Sequence, residues 1–113
     1  MVDNLLLDGK KKEARALWKK MRESFPDEFQ TLLAEGVLLT SEEDYQGAIQ
    51  TINHSSNIEP EAFRPFLEKS RVWLASGKKE NAIAILKVAE GKVKTLKDLK
   101  QVKNIKQIME TTH

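Results

Sequence analysis

The chain has 113 residues, 40% of them hydrophobic, enough for one compact domain and too few for a second core of useful size. Its 19 basic and 17 acidic side chains nearly cancel to a formal charge of +2, so no anionic polymer is demanded as a partner. The absence of cysteine excludes a disulfide framework and a thiolate metal site, and no apolar run approaches a membrane span or follows a basic leader; a cytoplasmic protein is expected.

In chain order, Ala14, Leu17, Trp18, Met21 and Phe25 follow the three-and-four spacing of a helix with one apolar face, and Pro26 ends it. Asp27, with Gln30 three residues on, predicts the cap of a second helix carrying Phe29, Leu32, Leu33, Gly36, Val37 and Leu39. Ser41 with Asp44 is a further cap signal, and Tyr45, Ala48, Ile49 and Ile52 form the stripe of a third helix that runs toward Pro60. Pro65 suits the first turn of a fourth, where its missing N–H costs nothing. Phe66, Leu67, Ser70, Trp73 and Leu74 lead from there to Gly77, a helix stop, and Ala82, Ile83, Leu86 and Ala89 mark a fifth helix.

The same residue sizes recur every 34 positions. Ala14, Ala48 and Ala82 stand in this register, as do Trp18, Ile52 and Leu86; Leu5, Leu39 and Trp73; Pro26 and Pro60; Gly9 and Gly77; and the small pair Gly36 and Ser70. Small positions let two helix backbones approach closely, and the bulky residue four places after each alanine fills the gap. A single hairpin of this kind cannot bury its apolar side, so stability has to come from stacking on neighbours.

This pattern resembles the tetratricopeptide repeat family, whose unit is a 34-residue helix-turn-helix, over roughly residues 1 to 90. The run from Gly9 through Ala14 and Trp18 to Pro26 matches the second half of the family pattern. Departures are Glu43 where a glycine is usual, Ser55 at a normally small apolar place, no closing proline in the third unit, and a first unit lacking part of its opening helix. The last departure suggests a cut-out fragment of a longer array or an unusual natural end. The resemblance implies an all-α fold: a right-handed superhelical array of antiparallel helix pairs with three repeats (1–28 incomplete, 29–62, 63–91) and a C-terminal capping helix in 92–113.

The resemblance also implies a non-enzymatic scaffold, without cofactor or small-molecule substrate, that binds a protein or peptide in a groove lined by the first helix of each unit. By register that groove comprises Gln30, Leu33, Val37 and Thr40, then Arg64, Leu67, Arg71 and Leu74, with Asp3 and Leu6 from the first unit. Arg64 and Arg71 are two helical turns apart on one face, a pair suited to a carboxylate or an acidic segment. The competing expectation leaves them solvated or pairs them with a local glutamate such as Glu68. The chaperone-gripping members of the family need polar or basic donors where this chain has Asp3, Ala34 and Glu68, so that mechanism is not expected. A second functional reading is a regulatory or assembly domain cut from a larger, enzymatic protein.

Residues 92 to 113 hold six lysines against Asp98 and Glu110, a basic tail of net +4. Thr95 with Asp98 predicts a cap, and Leu96, Leu99, Val102, Ile105, Ile108 and Met109 predict one further helix that covers the last apolar face. Ile105, Ile108 and Met109 form a candidate interface for self-association or a second partner. The tail lysines are expected on a solvated face, so neither nucleic acid nor a membrane is an expected partner. His54 and His113 lack metal-ligand spacing, and His54, Ser55 and Ser56 as helix neighbours diverge too far to form a catalytic relay.

Overall fold

The computed structural model describes Leu6 and residues 9–111. The expectations for Asp3, Leu5 and His113 lie outside the described residues. The fold is all-α: α1 (Lys11–Ser24), α2 (Phe29–Ser41), α3 (Tyr45–Ile58), α4 (Arg64–Ala75), α5 (Lys79–Glu90) and α6 (Leu96–Thr111), with no strand among the described residues. Every helix packs on the next in the chain, and α4 also packs on both α2 and α6.

Local chemistry sets the boundaries. Phe25 (φ −140°) and Glu59 (φ −130°) both leave the helical region. Each precedes a proline, whose ring disfavours the α conformation of the residue before it. The α2 helix then starts one residue later than the Asp27 signal suggested: a turn from Glu28 N–H to Phe25 O makes Glu28 the flanking residue, and no side chain caps it. At α3 the cap is Asp44 alone, whose Oδ1 accepts from Gly47 N–H at 3.1 Å, while Ser41 ends α2 with its hydroxyl donating to Leu38 O. Pro65 lies in the first turn of α4. Thr95 Oγ1 accepts from Asp98 N–H and Asp98 Oδ2 from Lys94 N–H, both at 3.1 Å, so α6 begins at the expected signal.

Two sets of contacts recur at the 34-residue interval. Gly9, Glu43 and Gly77 all take positive φ, at 74°, 64° and 83°. Each donates its N–H to the carbonyl three residues back, Leu6, Thr40 and Leu74, at 3.0 to 3.1 Å. In the second set a Cβ built on Gly36 would lie 3.7 Å from Ala48 O and 2.6 Å from Ile52 Cγ1, while Ser70 Oγ donates to Ala82 O at 3.0 Å. Helices α2 and α3, and likewise α4 and α5, are therefore packed with backbone close to backbone.

The buried residues form three clusters in a row. Ala14, Trp18, Ala34 and Leu38 join α1 to α2. Ala48, Ile52 and Val72, with Leu39 beside them, join α3 to α4 and α2. Phe63, Leu67, Ala82, Leu86, Ala89, Val102, Ile105 and Met109 join α4, α5 and α6. The third cluster corrects one expectation. Ile105 and Met109 are buried against α4 and α5, and only Ile108 (51% exposed) faces outward, so these three residues do not form a shared external surface. The reason is helical phase: Val102, Ile105 and Met109 fall on one face, whereas Ile108 is turned a further ~100° from Met109.

Candidate partner-binding face

Because α4 contacts both α2 and α6, the first helices of the successive hairpins lie side by side with α6 as the third of the row. The residues expected to line a groove divide sharply here. Gln30 is exposed, and Val37, Thr40, Arg64, Arg71 and Leu74 are half-buried and reach the surface. Leu33 and Leu67 are buried, Leu67 beneath α6, so they support the face and offer nothing to a ligand. The Thr40 hydroxyl is engaged with Gly36 O at 2.8 Å.

Arg64 and Arg71 meet on one carboxylate. Arg64 Nε donates to Glu68 Oε1 at 2.8 Å and Arg71 Nη1 donates to the same oxygen at 2.7 Å. Glu68 is only 5% exposed, so an unpaired charge there would be costly, and the two guanidinium groups compensate it with charge-assisted hydrogen bonds. The competing expectation of local pairing is what the structure contains. Two guanidinium groups converge on one carboxylate oxygen, which holds both arginines in fixed orientations.

Arg64 also borders a cleft of about 330 Å³ between the start of α4 and the start of α6. Phe63, Lys94, Lys97, Asp98 and Gln101 complete most of its lining. Sequence reasoning passed over Lys94, Lys97 and Gln101 as groove residues, although one signal was present: Asp98 and Gln101 are 34 positions after Arg64 and Leu67. The cleft is lined by three cations, one from the start of α4, one from the connection before α6 and one from α6, and Asp98 is already committed to the backbone of Lys94. An anionic side chain or an acidic segment is the ligand chemistry it suits.

Other features are distributed around the molecule. A more apolar cleft of about 360 Å³ lies between α5 and α6, over Ile83, Leu86 and Met109, with the Lys106–Glu90 ion pair (2.6 Å) on its rim. The buried Trp18 indole N–H meets no acceptor among the described residues, and Arg15 and Arg22 stand over its ring at 5.8 and 5.4 Å. Arg15 is in turn paired with Glu42. Lys69 and Lys92 both lie on the Phe66 ring, at 5.5 and 5.0 Å, and burial pushes the Lys69 ammonium below its ordinary pKa. His54 is exposed, and no group of three or more His, Asp or Glu side chains able to hold a metal ion occurs among the described residues. None of the described helices is long and apolar enough to cross a membrane.

No protein-family model matches the chain. No curated protein matches it either.

Proposed function

We propose that the chain is an array of tetratricopeptide-type helix pairs, a right-handed superhelix closed by α6, that works as a protein-interaction scaffold. Its ligand is an acidic segment of a partner protein lying across α2, α4 and α6. The observation that carries this reading is the recurrence at 34 residues of the same turn, at Gly9, Glu43 and Gly77, together with the close helix approach at Gly36 and Ser70. A repeat of contacts as well as residue types is what stacked alike units produce, and such arrays bind along the row of their equivalent helices. The choice of an acidic ligand rests on Lys94 and Lys97, both exposed and lining one cleft beside Arg64 at one end of that row.

The test is isothermal titration of the intact chain with a glutamate-rich synthetic peptide and with its glutamine-substituted counterpart. Preference for the acidic peptide, weakened at least tenfold by Lys94→Glu with Lys97→Glu, supports the reading. Equal affinity for the two peptides, or no effect of the charge reversal, rejects it. Those lysines are exposed, so the variants leave the core intact.

A further inference from the structure

The outward side of α6 carries an arrangement that closing the array does not explain. Val102, Ile105 and Met109 bury one stripe of the helix. A second stripe, Leu96, Leu99, Lys100 and Lys103, follows the same i, i+3, i+4, i+7 spacing on another side, with Leu96 79% and Leu99 39% exposed. Leu96 is the most exposed large apolar side chain among the described residues.

The surrounding charge is one-sided. Lys94, Lys97, Lys100 and Lys103 are exposed, and none forms an ion pair with a described residue. Of the carboxylates on and around α6, Glu61 pairs with Lys92 at 3.5 Å, Glu90 with Lys106 and Asp98 with the Lys94 backbone, while Glu110 lies exposed two turns beyond Lys103, at the far end of the helix from Leu96. Four free ammonium groups within ten residues, beside two exposed leucines, are more than a solvated closing helix requires.

We infer that α6 docks this protein on an anionic lipid surface, lying in the plane of the interface with Leu96 and Leu99 dipped into the headgroup region and the lysines on lipid phosphates and carboxylates. This departs from the expectation that the tail lysines are only solvated; it shares Lys94 and Lys97 with the acidic-segment reading and is set apart from it by Leu96, Leu99, Lys100 and Lys103, none of which borders the Arg64 cleft. The composition of α6 selects lipid over the other anionic surfaces. The helix has no arginine and no aromatic residue, whereas single-stranded nucleic acid is held by base stacking and protein interface cores are rich in Arg, Met and aromatics and poor in Lys. Lysines on flexible stems beside exposed leucines suit a diffuse, fluid, negatively charged plane.

The experiment is co-sedimentation of the full chain with vesicles of phosphatidylcholine alone and of phosphatidylcholine mixed with phosphatidylserine. Binding is expected only to the mixed vesicles and falls as salt is added. Lys100→Gln with Lys103→Gln lowers the partition coefficient roughly 25-fold, about fivefold for each charge near an anionic surface. Leu96→Trp, placed in the parent chain, gives an emission blue shift on the mixed vesicles beyond that of the two native tryptophans, and Leu96→Gln weakens binding without altering helicity. Equal sedimentation with both vesicle types, an unshifted Leu96→Trp emission, or binding to polyglutamate or an oligonucleotide without binding to vesicles overturns the proposal. Because Lys100 and Lys103 do not border the Arg64 cleft, loss of vesicle binding with peptide affinity preserved separates this site from the groove.

Discussion

Gly36 stands so close to Ile52 that a Cβ on the glycine would lie 2.6 Å from the isoleucine Cγ1, nearer than packed carbon atoms come. Ile52 is fully buried and β-branched, so it has no room to yield. At the equivalent junction the pair is Ser70 and Leu86, a larger residue opposite one that is unbranched at Cβ. Size is therefore exchanged across the helix pair and is not held constant at each position.

Gly36→Ala is accordingly expected to destabilise the chain. The alanine gains ~1 kcal/mol of helix propensity, but overpacking a full core costs ~1–3 kcal/mol. Urea denaturation should show a net loss of about 1 kcal/mol, and adding Ile52→Leu should restore most of it. An unchanged or raised midpoint for the single variant would contradict the close packing of α2 on α3.

Glu43 occupies the left-handed turn that glycine holds at the other two junctions. A side chain there meets its own carbonyl, and the left-handed region costs an L-residue roughly 1–2 kcal/mol, partly offset by the greater freedom glycine loses on folding. Glu43→Gly should raise stability by ~0.5–1 kcal/mol, whereas Gly77→Ala should lower it by ~1 kcal/mol. Thermal melts of the two variants should therefore move in opposite directions.

Removing both arginines from Glu68 strands a buried carboxylate. Breaking a fully buried pair costs ~3–5 kcal/mol, and here the arginines are more than a third exposed, so screening reduces the expected loss for Arg64→Gln with Arg71→Gln to ~2 kcal/mol. Adding Glu68→Gln should recover most of that loss. If the triple variant is no more stable than the double, Glu68 is not what the arginines serve.

Lys69 supplies a pH dependence of definite sign. Its pKa in the folded chain lies below the ordinary 10.5 because burial penalises the ammonium. Between the folded pKa and 10.5 the unfolded chain binds more protons, so this group makes stability rise with pH through that window, and its penalty is fully present at lower pH. Lys69→Gln should flatten this alkaline rise relative to the parent in denaturant titrations at several pH values. A steeper rise in the variant would reverse the assignment.

The helices and most of their ends were legible in the residue order because they depend on neighbours in the chain. Proline at 26 and 60 bends the residue before it, Asp44 and Thr95 cap within four residues, and Gly77 turns left-handed at no steric cost. The α2 start was misplaced by one residue because the turn through Phe25 and Glu28 competes with the Asp27 cap, a balance of two local hydrogen bonds that residue types do not reveal. The register of 34 likewise needs only the sequence, since each small position answers a large one at a constant interval.

Only tertiary packing decided which side chains reach the surface. Leu33 and Leu67 share a helical phase with Gln30, Arg64 and Arg71, yet the leucines are buried, Leu67 by an α6 about three dozen residues away in the chain. Glu68 belongs to the arginines because its position is buried, and Ile105 and Met109 turn inward while Leu96 remains outside. The physical reason is range: dihedral preferences and caps act over a few residues, whereas burial depends on which distant helix arrives to exclude the water.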